Sequence, residues 1–327
     1  AATPLSVDVA ADDDAAMTAL GEAAFFAYPA QLAPYAFVAL SSRSAASGYG
    51  LWLDEARDQV GGLVRTQLAD GTNTVAMTCS TCHAATGVSG LVVGVGSDAL
   101  DLGRMIADGG GGGAAWRSWG RGRVDVTTTV GTAPERIPDL RPVRWLTHLH
   151  QEATVAQHGR IALAIRLETL IITAHSQAIR PPRAVTWALA TYLNALADGL
   201  PSLAPASDAA TRGEQTFQAQ CSSCHAGAGL TGPPTLLAVV GTDPAIGLST
   251  DRGTGMYRVP SLRGVGTRGL LLHDASLPSL AAMWDPTRTS AVFAGGTRGA
   301  GAVPGHVYGL DLDDATRADL VEYLRGL

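Results

Sequence analysis

Residues 79–83 read CSTCH and residues 221–225 read CSSCH, and these two motifs use all four cysteines of the 327-residue chain. The sequence around them repeats as well. LGEAAFF at 20–26 is echoed by RGEQTFQ at 212–218, and IPDLRPVRWLTHLHQEATV from Ile137 by VPSLRGVGTRGLLLHDASL from Val259. PRAVTWALATYLNAL at 182–196 is echoed by DATRADLVEYLRGL at 314–327. Self-similarity of this extent constrains the chain to two related units. Each half runs as N-terminal helix, CxxCH, a loop with PxLR, and a C-terminal helix whose apolar residues recur at helical spacing. The expected fold is mainly α, with a first domain over 1–200 and a second over 201–327. The boundary falls in LPSLAPASDAA at 200–210, where proline, serine and small residues gather. In the first half, GGLVRTQLADGTNTVAMT alternates apolar residues around Asp70-Gly71, which predicts a small β-hairpin insertion. Gly109 to Gly113 read as a surface loop, because no strand precedes them and no GK[ST] follows.

Two thiols three positions apart with a histidine directly after can bind haem covalently: the thiols reach the porphyrin vinyl groups while the imidazole reaches the iron. A structural zinc would bring its two CxxC pairs to within roughly 15–20 residues of each other, whereas Cys221 follows Cys79 by 142 positions. A redox dithiol needs one pair and no following histidine. Cys79, Cys82 and His83, and Cys221, Cys224 and His225, are therefore read as two c-type haem sites, with His83 and His225 as proximal iron ligands.

The chain contains no lysine, its 23 arginines are scattered, and the formal charge is −6. That balance argues against a nucleic-acid or anionic-membrane surface, and some of the arginines are expected to face haem propionates. The most apolar stretch, residues 161–174, is interrupted by Arg166 and Glu168 and is too short to span a bilayer, so no membrane anchor is expected. The opening AATPLSVDVAADDDAA lacks a basic start and an apolar run, so it reads as a mature terminus left after an export signal is removed. Covalent haem attachment in bacteria takes place outside the cytoplasmic membrane, which implies a periplasmic or secreted protein.

The order of elements in each half is that of a class I cytochrome c domain. MYRVPSLRGVGTRGLLLHDASLPSL, with CSSCH upstream and LDLDDATRADLVEYLRGL downstream, resembles the C-terminal haem half of the bacterial di-haem cytochrome c peroxidase and MauG family. PGHVYGLDL is also similar to the corresponding region of haem-containing rubber oxygenases. The first half resembles the family in outline, with Gln151-Glu152-Ala153-Thr154 standing where the family usually carries WDGR. The resemblance implies two covalent haems and an enzyme that reduces hydrogen peroxide at the N-terminal haem with electrons passed through the C-terminal one. A small cytochrome c, a cupredoxin or a protein substrate would act as donor, and calcium can be held partly through carbonyls near Pro260.

The resemblance also places the sixth iron ligand of the second haem in the loop before the last helix. His306 leads there, with Tyr308 and Met283 behind it. His306 lies 17 residues before Tyr323, and His175 lies 17 before Tyr192, which makes the two histidines candidate equivalents. His175 would then close the first iron or act as its distal acid-base group. Glu168, seven residues earlier and on the same helical face, stands in a Leu-Glu context like the family's distal glutamate. Either group could move the proton that peroxide cleavage requires. His148 and His150 are rivals, sharing one face if THLH is extended. Trp119, chosen over Trp116 and Trp145, is the expected electron-relay tryptophan. A bis-histidine di-haem electron carrier with no enzymatic role is the alternative, and an oxygenase acting on an organic substrate is a weaker third reading.

Overall fold

The computed structural model describes residues 5, 7–55, 57, 59–68, 70–125, 134–175 and 180–327. Its contacts divide the chain into two compact units. One comprises residues 1–124, 137–144 and 158–198; the other comprises 125–136, 145–157 and 199–327. Two segments of the first sequence half thus pack with the second unit.

Three of the long helices begin where a side chain satisfies a free N–H group. Asp13 accepts from the Ala16 amide at 2.9 Å, Ser207 from Ala210 at 3.1 Å and Asp313 from Thr316 at 2.9 Å. In the first unit the helix Asp14–Ala27 packs against Arg183–Ala195; in the second, Asp208–Gln220 packs against Asp314–Gly326. The echoed sequences make the same contact twice. A Cβ on Gly21 would lie 2.1 Å from the Ala188 carbonyl oxygen, and one on Gly213 would lie 2.0 Å from that of Asp319. Phe25 meets Tyr192 at a ring separation of 5.6 Å, and Phe217 meets Tyr323 at 5.4 Å. Only glycine lets the two backbones approach this far, and the aromatic pair one turn on fills the crossing.

The second repeat segment is duplicated down to its backbone. His150 and its counterpart Leu272 have φ of 65° and 68°, and Ala153 and Ala275 have 57° and 59°. Leu149 pairs with Val155 as Leu271 pairs with Leu277. The Arg136 amide donates to the His273 carbonyl and the Arg258 amide to that of Gln151, each at 2.8 Å, so equivalent residues of the two repeats exchange hydrogen bonds.

The hairpin forms as expected: Leu63–Gln67 pairs antiparallel with Asn73–Met77. Gly71 adopts φ 85° at the turn, and Asp70 accepts from the Thr72 amide. Gln31–Leu32 adds a third strand against Ala76 and Met77. Helix outweighs strand among the described residues, as expected, but strand extends beyond the one predicted hairpin. The described residues include five further two-stranded ladders, because loops between the core helices pair locally instead of coiling into helix. Among them, no helix is long and apolar enough to cross a membrane.

Candidate functional site

In the first unit the motif is a short helix, Cys79–His83. Three contacts set its position. Trp52 Nε1 donates to the Ser80 carbonyl at 2.7 Å, Thr81 Oγ1 donates to that of Gly62 at 3.1 Å, and Gly62, at φ 64°, leaves no space for a Cβ beside Ser80. The predicted hairpin therefore cradles the motif. His83 Nδ1 donates to the Pro138 carbonyl at 3.1 Å. That bond fixes the tautomer and leaves Nε2 as the ligating nitrogen. Burial pushes the Cys79 and Cys82 thiols up to about 12, the reverse of the lowered pKa of a thiolate redox pair.

The second motif follows directly from the helix Asp208–Gln220, whose C-cap is Cys221. His225 Nδ1 donates to the Leu230 carbonyl at 3.1 Å, repeating the arrangement at His83. The PSLR loop holds that acceptor segment in place: Ser261 Oγ donates to the Gly229 carbonyl at 2.5 Å, and Thr231 Oγ1 to that of Val259 at 2.6 Å. Here the repeated proline loop supports the proximal histidine through side chains as well as backbone.

In a cavity that both residues line, the His306 ring lies opposite that of His225 with ring centroids 6.4 Å apart. Histidine nitrogens bind metals at about 2 Å, so an imidazole–metal–imidazole sandwich sets its ring centroids roughly 6 Å apart. The observed spacing fits an iron between the two rings. Burial lowers the pKa of both histidines, that of His306 to about 4, which keeps the imidazoles neutral as ligation requires. Cys221, Arg136 and Arg258 also line the cavity. Arg258 Nε is buried without a hydrogen-bond partner, a donor suited to a haem carboxylate. Cys221, Cys224, His225 and His306 would thus hold a haem c, with Arg258 beside it. Met283 lines this cavity and Tyr308 an adjoining pocket, but the ring opposite His225 is that of His306; Tyr308 stands edge-on to it at 5.4 Å.

The other sequence candidates are placed as follows. Glu168 lies within the helix Gly159–Ala174, and Arg180 Nε is 3.9 Å from its carboxylate. His175 is that helix's C-cap and is buried. Its Nε2 donates to the Pro29 carbonyl at 3.1 Å, while Nδ1 is buried with no partner. The two sites therefore differ around these histidines: His175 ends a helix at φ −105°, whereas His306 sits in a loop at φ 45°. His148 and His150 do not share a strand face. Only His148–Leu149 is extended, and His150 turns left-handed to hydrogen-bond Thr154, with both residues in the second unit. Trp119 is buried in the first unit's core, its ring tilted by 41° against that of Trp116 with centroids 4.7 Å apart.

The sequence reading missed a buried charge cluster in the second unit. Arg252 contacts Glu135 and lies 3.0 Å from Glu152, which is fully buried. Burial, reinforced by the neighbouring Glu152 charge, pushes Glu135 up to about 8.

Residues 210–327 match the family model for cytochrome c. No curated protein registers as a sequence match. Similar solved structures include a MauG-like protein associated with microbial copper homeostasis, 18% identical over 64% of this chain and 78% of that one, with a TM-score of 0.45. Another is the hydrazine synthase of Kuenenia stuttgartiensis, 16% identical over 68% and 79%, with a TM-score of 0.39. A third is the diheme peroxidase BthA from Burkholderia thailandensis E264, 16% identical over 99% and 89%, with a TM-score of 0.49. With CSSCH inside the matched segment and His225 facing His306, the chain carries a cytochrome c domain over residues 210–327.

Proposed function

We propose that the protein is a di-haem c-type oxidoreductase that reduces hydrogen peroxide at the Cys79–Cys82–His83 site with electrons passed through the Cys221–Cys224–His225 site. The observation that carries this reading is the 6.4 Å separation of His225 and His306. A site closed by two imidazoles has no position left for peroxide, so it suits electron transfer and leaves substrate chemistry to the other motif. When bound, each haem supplies an iron that changes oxidation state.

The chain's own residues do the rest. The Leu230 and Pro138 carbonyls hold the proximal imidazoles in the tautomer that presents Nε2. Peroxide cleavage requires a proton to move from one oxygen to the other, and a positioned base carries it. His175 suits that task, because Nε2 is committed to Pro29 and Nδ1 remains a buried acceptor. Glu168 is the second such group, and Trp119 is the proposed relay on the first unit. A small cytochrome c or cupredoxin, or a protein substrate, delivers the electrons, and the setting is the periplasm or the cell exterior.

The proposal is tested by peroxide consumption with a reduced small cytochrome as donor. Replacing the base, in Glu168→Gln or His175→Gln, is expected to slow turnover by roughly 10²–10⁴-fold while both haems stay attached. Unchanged turnover in both variants would refute these assignments. Absence of any peroxide consumption by the reduced holoprotein would favour the bis-histidine electron carrier.

A further inference from the structure

Arg288 is completely buried and is the largest such side chain among the described residues. A buried charge persists only when its donors are satisfied. Arg288 Nε donates to the Met283 carbonyl at 2.7 Å and Nη1 to that of Val303 at 2.8 Å. Nη2 donates to the carbonyls of Gly305 at 2.8 Å and His306 at 2.7 Å. All four recorded acceptors are backbone carbonyls, and three belong to residues 303–306. In return, the Val303 amide donates to the Arg288 carbonyl at 2.7 Å.

The segment held in this way is bent against its own preference. His306 has φ 45°, a left-handed conformation that a residue with a Cβ adopts at an energetic cost. Gly305 precedes it at φ 75°, where an added Cβ would lie 2.2 Å from the Gly241 carbonyl carbon. On the side away from Arg288, the His306 amide donates to the Val240 carbonyl at 2.6 Å. The loop is therefore clamped from two directions, and its carbonyls are turned inward toward one planar cation. A guanidinium can meet several carbonyls at fixed angles in this way, whereas a lysine ammonium is a single point of charge.

We propose that Arg288 is the positioning residue of the second site, holding the left-handed Gly305–His306 backbone so that the His306 imidazole closes the iron opposite His225. The inference rests on His306 being that ligand. It assigns to a residue 18 positions away in sequence the choice between a closed electron-transfer site and an open one. Without the cation, the carbonyls of Val303, Gly305 and His306 lose their buried donor and the loop relaxes toward ordinary backbone angles. The imidazole is then withdrawn from the cavity.

The test compares ferric holoproteins by low-temperature electron paramagnetic resonance and cyanide binding: wild type, His306→Ala, Arg288→Gln and Arg288→Lys. Haem content and far-ultraviolet circular dichroism verify that each is folded and loaded. His306→Ala identifies the low-spin signal of the second haem by removing it. Arg288→Gln is expected to lose more than half of that signal, gain a high-spin signal and bind cyanide, with added imidazole restoring the low-spin state. Arg288→Lys is expected to fall between Gln and wild type. A folded, fully loaded Arg288→Gln with an unchanged low-spin signal would overturn the proposal. If that variant does not accumulate with both haems, an unchanged signal in Arg288→Lys overturns it equally. If His306→Ala leaves every low-spin signal intact, the ligand assignment itself falls, and the role of Arg288 with it.

Discussion

Gly213→Ala places a methyl group into the crossing of the two helices that support the second haem motif. The added Cβ would lie 2.0 Å from the Asp319 carbonyl oxygen and 2.8 Å from Tyr323 Cβ. Neither is the end of a flexible side chain, so the helices must part by more than 1 Å to restore ordinary contact. Overpacking of this kind costs about 1–3 kcal/mol, and each kcal/mol lowers the melting temperature of a chain this size by roughly 2–4 °C. The gain in helix propensity from glycine to alanine, about 0.5–1 kcal/mol, offsets only part of this. Gly48 provides the opposite case: it ends the helix Arg43–Gly48, and a Cβ there meets nothing within 4 Å. Thermal melts followed by circular dichroism should show Gly213→Ala and Gly21→Ala melting several degrees below wild type, and Gly48→Ala at or above it. If Gly213→Ala melts as high as Gly48→Ala, the close helix crossing argued from the repeat is wrong.

Covalent haem content is expected to fall from two per chain to one in Cys79→Ala/Cys82→Ala and likewise in Cys221→Ala/Cys224→Ala, read as the alkaline pyridine haemochrome. Loss of both haems from either variant would contradict two independent sites. Stability should also depend on pH through Glu135. Its folded pKa is raised from 4.5 to about 8, so across that window the folded state binds a proton that the unfolded state releases. Glu135 should therefore contribute a loss of stability as pH rises through that window, read as a melting-temperature slope that is more negative in wild type than in Glu135→Gln. An unaltered slope in that variant would mean that Glu135 is ionised throughout the window.

What the sequence made legible was its local chemistry and its repetition. The echo of LGEAAFF in RGEQTFQ located Gly21 and Gly213, Phe25 and Phe217, at equivalent helix crossings, because a small residue four before an aromatic is a local pattern. The Asp70-Gly71 turn was readable for the same reason. The CxxCH motifs carried their own ligand chemistry. His306 was singled out because the family resemblance places a ligand in the loop before the last helix, and its ring lies 6.4 Å from that of His225.

Long-range contacts left no such trace. Arg288 is an arginine between two threonines, and nothing in TRT announces that its side chain is buried against residues 303–306. Glu135 meets Arg252 across 117 positions, and the exchanged amide bonds of Arg136 and Arg258 depend on the two repeats being brought side by side. The condition that THLH be extended fails at His150, and the sequence gives no sign of it because left-handed backbone is usually signalled by glycine or asparagine. Here the tight turn between Leu149 and Val155 imposes it on histidine, as its counterpart imposes it on Leu272.

The most direct test of the account is low-temperature electron paramagnetic resonance of the as-isolated ferric holoprotein, with His306→Ala measured beside it. One low-spin signal that disappears in His306→Ala, together with one high-spin signal present in both, is the predicted result: a second iron closed by two imidazoles and a first iron open to peroxide. Two low-spin signals that both survive His306→Ala would contradict the closed second site and the division of labour built on it.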